Sequence, residues 1–397
     1  MKFSLTKALI LMLTLTLALA AFASCDTGSA ETESESGDGE LKNFDYLSAD
    51  LDEYITLPDY DYLKNTVTLG SEYVVTDEMI DEYMADFLFD KKTKTNGDTQ
   101  VTDQPIKLGD SAFIYYTGYL NGVAFNGGSN ASDAKPYELS IGSGSFIPGF
   151  EEGLIGIVPS STSKDAPYDL HVTFPENYNQ KDLAGKAVIF KVWVVYTVQY
   201  TIPELTDDFV KNTVKYDGTS AEYRADIKNA MIEEAKTAAE DAALEEITEK
   251  LIKDSTVKKF PQEAIDFTVE NYKSQIQEYV DYYGMYGYKV TFEEMALQLL
   301  GLKEGDDWEA ALKKLAEDDV KATLIYYAIA TDNNITATDE EVMKKAEELA
   351  KYYSTDEKTY TAEEIIKEIG ADSIKQSIVF EGTQRLLVEN CTIKYEK

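Results

Sequence analysis

A single histidine, His171, stands in a chain of 397 residues, and its scarcity removes most of the chemistry a polar active site could perform. In DLHVTF the apolar Leu170, Val172 and Phe174 alternate with it, so the pattern places His171 on the outward side of a strand. One histidine rules out a histidine-rich zinc site and leaves little for a histidine-activated nucleophile. The segment GSGSFIPG is rich in glycine, but no Lys-Ser or Lys-Thr follows it, so a phosphate-cradling loop fails. The acidic run DNNITATDEE lacks the ligand spacing and glycine of a calcium loop and reads as a helix start. What remains, between Gly109 and Val198, is a series of aromatic and aliphatic residues at alternate positions, punctuated by glycines. Side chains of this kind bind apolar groups and exclude water. No metal or cofactor is expected.

The elements that must position those residues are strands. Three blocks carry them in order: GDSAFIYYTGYLNGVAFNGG, PYELSIGSGSFIPGFEEGLIG and VTFPENYNQKDLAGKAVIFKVWVV. In this order they resemble the FKBP-type peptidyl-prolyl isomerase domain. The VTFPENY, LAGKAVIF and IPELTDDFV segments resemble the trigger factor family in particular. The resemblance implies an antiparallel sheet wrapped on a short helix, placed before a mostly α-helical, trigger-factor-like chaperone domain, an α+β architecture overall. It also implies a pocket for proline peptides. Turning an X–Pro bond opposes amide resonance, a barrier of roughly 18–20 kcal/mol. An apolar cleft lowers it by favouring the less polarised twisted amide, with no covalent step.

Carried over by motif, the resemblance puts Tyr116, Phe125, Ile147, Phe150, Tyr178 and Phe190 in the catalytic cleft. Asn126, Tyr137 and Phe146 are expected beside the substrate. The Ile147 backbone N–H is the expected donor to a substrate carbonyl, and Phe150 the pocket floor. The same side chains would also serve as plain barrel core, a reading open for Phe125 and Phe190 above all. Two departures from the family pattern bear on activity: Asn126 stands where an acid is common, and the stretch from Gly156 to Phe174 is several residues longer than usual.

The beginning of the chain carries different chemistry. Lys2 and Lys7 precede the apolar run from Ala8 to Ala23, and Ser24-Cys25 follows it. This reads as an export signal over 1–24, too short for an ordinary membrane span. FASC looks like a bacterial lipobox, which would make Cys25 the lipid-bearing first residue; an ordinary secretory signal with an incidental cysteine is the alternative. Residues 25–43, including DTGSAETESESGDGE, hold nothing apolar to bury and are expected to be a disordered acidic tether. With Cys25 assigned to lipid, Cys391 has no partner for a disulfide and reads as a small strand residue.

Formal net charge is −36, and removing 1–24 with its two lysines takes it to −38 (−36 − 2). So acidic a chain is expected to avoid nucleic acid and anionic headgroups. The rest reads as helices. Thr76 opens TDEMIDEYMADFLFDKK, with Met79, Ile80, Tyr83, Phe87 and Leu88 as its apolar face. Ser220 opens a helix to about Lys253, with Ile227, Met231, Ala235, Ala238, Ala242, Ile247 and Leu251 as its stripe. Pro261 suits a first helical turn, and capping boxes recur at Thr291–Glu294, Thr338–Glu341 and Thr361–Glu364.

The expected organisation is therefore a signal (1–24), a tether (25–43), an N-terminal segment and linker helix packing with the helical domain (44–105), the isomerase-like domain (106–199) and the helical chaperone domain (200–397). Within the resembled family a ribosome-docking domain comes first; its basic Gly-Phe-Arg loop has no counterpart in these residues, so no ribosome contact is expected. The reading is a lipid-anchored extracytoplasmic isomerase and chaperone acting on unfolded, proline-containing exported polypeptides, on a cell with one membrane. A holdase with a binding-only pocket is the alternative, and a solute-binding or spacer lipoprotein a second one.

Overall fold

The computed structural model describes residues 44–355 and 358–396; the expected signal, tether and Cys25 lie outside them. Contacts divide the described residues into two units, one of residues 74–234 and one combining 44–73 with those from 235 to 396.

In the first unit, helix α1 (Asp77–Asp90) starts where Thr76 accepts a hydrogen bond from the Met79 N–H at 3.3 Å. Its buried stripe is Ile80 and Met84, one turn apart, with Phe87 partly buried beyond them. Met79 and Tyr83, expected on that face, are exposed. The helix covers its neighbours along a narrower line than its apolar content suggested. The short ribbon Thr93–Lys94 then pairs antiparallel with Tyr200–Thr201, so the chain enters and leaves the sheet side by side.

That sheet holds β1 (Ser111–Leu120), β2 (Val123–Ser129), β3 (Tyr137–Ser140), β4 (Tyr168–Thr173) and β5 (Ala187–Val198), all antiparallel. β5 lies centrally between β1 and β4, while β2 and β3 share the other edge of β1. The β1–β2 hairpin closes through Asn121 and Gly122, both at positive φ, the backbone that two-residue hairpins require. Along β5, Val188, Phe190, Val192 and Val194 are all buried, the period-two pattern of a strand with one face on the core. His171 is exposed between buried Leu170 and Val172, as its alternation implied. The expected short helix is a single 3₁₀ turn, Glu152–Leu154. Gly153 lets it seat on β4, because a Cβ there would meet Leu170 Cδ1 at 2.3 Å.

Helix α2 (Ser220–Asp254) follows. Its first turns pack on α1 through Arg224–Asp81 at 2.6 Å and Lys228–Asp77 at 2.8 Å, with Phe87 and Tyr223 rings 5.8 Å apart. Further along, the buried stripe is Ala239, Ala243, Ile247 and Leu251. Ala238, expected on the stripe, is exposed, because one residue of phase turns a helix by about 100°.

The second unit is built from the rest of α2 with α3 (Gln262–Met285), α4 (Phe292–Leu299), α5 (Trp308–Asp332), α6 (Asp339–Tyr353), α7 (Ala362–Ile369) and α8 (Ala371–Glu389). All three expected capping boxes form, at the starts of α4, α6 and α7. The segment 44–73 supplies Phe44, Tyr46, Leu51 and Ile55 to the core shared by α2, α5 and α8. Tyr46 stacks on Tyr327 at 4.9 Å. Two ribbons fasten it: Ile55–Thr56 against Thr256–Val257, and Thr66–Leu69 in parallel with the terminal strand Thr392–Tyr395. Cys391 sits one residue before that strand. By packing, residues 74–105 and 200–234 group with the sheet, because α1 and the first turns of α2 hold each other.

Candidate functional site

The two halves of the sheet bring a continuous series of rings together. Tyr137 on β3 lies 5.6 Å from Phe146, which lies 4.4 Å from Phe150. Phe150 meets Phe190 of β5 edge-on at 5.1 Å, Phe190 meets Phe125 of β2 at 5.7 Å, and Phe125 meets Phe174 at 5.8 Å. Phe174 closes on Tyr178 at 4.5 Å. Tyr116 of β1 stands across the middle, 5.3 Å from Phe146, 6.0 Å from Phe150 and 6.1 Å from Phe190. Most of these contacts are edge-to-face, the arrangement ring quadrupoles prefer.

Burial grades across the series. Phe150 is 0% exposed and Phe190 nearly so, which suits a floor, while Tyr116, Phe125, Phe146, Ile147 and Tyr178 are partly buried and line its rim. Tyr137 is exposed at the edge. Burial pushes the Tyr116 hydroxyl above its ordinary titration range, with the Tyr137 and Asp133 charges adding to the effect, so it stays a neutral hydrogen-bonding group. The Ile147 N–H donates to no group among the described residues, although the Ile147 carbonyl accepts from the Phe150 N–H at 3.1 Å. Asn126 is the exception. It is exposed, and no hydrogen bond or ring contact ties it to the cluster among the described residues.

Four supporting residues escaped the sequence reading. Gly118 and Gly128 flank the Phe125 ring so closely that a Cβ on either would fall 2.3 and 2.2 Å from its atoms. Asn130 is buried; it accepts the Tyr116 N–H at 2.7 Å and donates to the Ile114 carbonyl at 3.0 Å, holding the loop after β2 against β1. Glu151 gathers the backbone of residues 142–146. The spacing of YTG and NGG around Phe125 was the available signal for the glycines. For Asn130 and Glu151 no local signal existed, because their partners lie across the loop.

A second group of aromatics lies in the helical unit, at the end of α3. Tyr282, Tyr283, Tyr286 and Tyr288 make ring contacts with one another at 5.1 to 6.1 Å yet remain exposed, beside Met285, which is 78% exposed. A concavity of about 620 Å³ opens there, between α3 and the start of α4, with Val280, Gly284 and Val290 among its walls. The run DYYGMYGYKV was its sequence signal.

A sheet of this order carrying this ring series defines an FKBP-type domain, and the family model for the FKBP-type peptidyl-prolyl cis-trans isomerase matches residues 102–200. The model for the bacterial trigger factor C-terminus matches residues 219–389. Trigger factor of Caldicellulosiruptor bescii is 34% identical over 291 residues, covering 73% of this chain and 62% of that protein. Trigger factor of Limosilactobacillus reuteri is 38% identical over 263 residues, covering 64% and 55%. That of Clostridioides difficile is 31% identical over 322 residues, covering 81% of this chain and 70% of its relative. The chain belongs to the trigger factor family. It spans about three fifths of the length of the first two of these relatives. A solved trigger factor chaperone overlaps 85% of this chain and 73% of its own at a TM-score of 0.39 and 17% identity, too loose an overlap to carry an inference.

Proposed function

We propose that the protein is a peptidyl-prolyl cis-trans isomerase and chaperone that assists the folding of exported polypeptides. The observation that carries the isomerase reading is the ring series from Tyr137 to Tyr178 with the uncommitted Ile147 N–H beside it. Phe150 and Phe190 supply a dry floor for the proline ring. Ile147 N–H donates to the carbonyl of the following segment and holds it while the X–Pro amide turns. The apolar walls disfavour the planar, polarised amide more than the twisted one, which is differential binding of the transition state. Neither a proton nor a covalent bond changes hands.

The exposed tyrosines and Met285 at the end of α3 support the chaperone half. Tyrosine offers apolar contact at low cost in side-chain entropy, and methionine adapts to irregular partners. Clients are unfolded, proline-containing chains. Tethering by lipid at Cys25 on the outer face of a membrane is part of the same proposal and rests on the FASC motif. The net charge of −36 disfavours ribosomal RNA and other nucleic acid as partners.

Turnover of an Ala-Pro test peptide is the deciding measurement. Wild type is expected to accelerate it, Ile147→Ala and Phe150→Ala to lose most of the acceleration, and Tyr178→Phe to lose little. Equal rates in wild type and all three folded variants would leave the cleft as a binding surface only. For location, Cys25→Ala is expected to give an unprocessed or soluble species on cell fractionation; a normally processed membrane form would end the lipoprotein assignment.

A further inference from the structure

Glu151 directly follows the pocket floor residue Phe150 and is only 3% exposed. Its carboxylate accepts alternate backbone N–H groups of the preceding loop and both of the loop's serine hydroxyls. Oε2 accepts the Gly142 N–H at 2.7 Å and the Gly144 N–H at 3.2 Å. Oε1 accepts the Phe146 N–H at 3.1 Å and the Ser145 hydroxyl at 3.3 Å. The Ser143 hydroxyl reaches both oxygens, at 3.3 and 3.4 Å. Without these bonds the loop would be loose, since Gly142 and Gly144 are both at positive φ, where glycine has most freedom to lose. The loop ends in Phe146 and Ile147, the two residues that bring an aromatic wall and a free N–H to the cleft.

We propose that Glu151 is the positioning residue of this cleft: its carboxylate sets the 142–146 loop so that Phe146 and the Ile147 N–H meet a proline peptide in one fixed geometry. The proposal rests on the isomerase reading. A carboxylate suits the task because both its oxygens only accept, and charge-assisted bonds to backbone N–H groups are the stronger kind. Glutamine cannot replace it. Whichever way its amide is turned, an NH₂ group faces either the Gly142 and Gly144 pair or Phe146, and one half of the loop is released.

The test uses the full chain with Glu151→Gln, and Asp169→Asn, which breaks an exposed pair with Lys191, as control. Misplacement of reacting groups by about 1 Å can cost roughly 100-fold, so kcat for an Ala-Pro peptide is expected to fall roughly ten- to 100-fold in the Gln variant with KM little changed. Amide exchange at Gly142, Gly144 and Phe146 should quicken while the β5 amides stay protected, and the control should match wild type in both. A folded Glu151→Gln variant with wild-type kcat, or one that only melts earlier, overturns the proposal. If that variant does not fold, Ser143→Ala with Ser145→Ala removes the hydroxyls and keeps the carboxylate. A smaller fall in kcat and quicker exchange at Phe146 are then expected, and no change in either overturns the proposal. Should wild type itself turn over no proline peptide, the isomerase reading fails separately. Glu151 is then judged on Ala-Pro peptide binding and amide exchange, and a Gln variant equal to wild type in both overturns it.

Discussion

The cleft of the sheet unit and the end of α3 are both built from aromatic residues, and they use them in opposite ways. In the cleft the rings pack on one another from β1, β2, β3, β5 and two loops, and Phe150 at their centre sees no solvent. Phe125 packs into space that Gly118 and Gly128 leave open by carrying no Cβ, and Asn130 and Glu151 hold the adjoining backbone. At the end of α3 the ring contacts of the tyrosines, among the described residues, are with near neighbours in sequence, and the chain turns through Tyr286 and Gly287 just past the helix. The lesson is that ring count does not distinguish selection from capture. What distinguishes them is whether other elements fix the rings, since a fixed surface can favour one shape of an amide and an open one can accept many partners.

The largest effect that sharpens this contrast is expected at Phe150. Truncation to alanine should cost the sheet unit about 3–5 kcal/mol, the range for a buried phenylalanine, and remove proline turnover. Suppression of client aggregation should persist. Chemical denaturation and the two activity assays read it, and a joint loss of both activities in a folded variant would break the separation.

pH offers the next lever, because it acts on the helical unit. Asp319 of α5 is buried, its Oδ2 has no partner among the described residues, and burial raises it from 3.8 to about 7. The folded unit keeps its proton where the unfolded chain has released it. Stability therefore falls as pH rises from about 4 to about 7 and is level above, by at most about 4 kcal/mol at 1.36 kcal/mol per pH unit. Asp319→Asn should flatten that slope. Trp308 lies in this unit and Trp193 in the other, so in a Trp193→Phe background the urea midpoint by fluorescence reports the helical unit. A slope unchanged by the Asn substitution would assign it to other groups.

The smallest change in stability is expected from Tyr282→Ser, Tyr283→Ser, Tyr286→Ser and Tyr288→Ser combined. Exposed positions each move stability by about 0.5 kcal/mol or less. Aggregation suppression should fall while Ala-Pro turnover stays at the wild-type level. If suppression is undiminished, capture lies elsewhere on the helices.

Much of this was legible along the chain. The capping boxes at Thr291, Thr338 and Thr361 are local devices, three residues from donor to acceptor, and they form where the sequence places them. The alternation of β5 and the outward His171 follow from strand period alone, and the ring positions of the cleft follow from the family blocks. Helix faces were less secure. In α1 and α2 apolar residues stand on more than one side, and only the neighbouring element decides which stripe is covered. Met79 and Tyr83 were expected inside α1 and are exposed, whereas Met84 is buried.

By itself the sequence determined the element types and the ring positions of an FKBP-like cleft, because propensity, period and motif act over a few residues. Tertiary structure alone decided that 44–73 joins the helical core through two ribbons, one of them made with the last strand of the chain. It alone decided that Asn130 and Glu151 hold the backbone around the rings, and that the Asp319 Oδ2 is left without a partner among the described residues. Each of these depends on which groups meet across turns or between distant segments, and no local pattern carries that information.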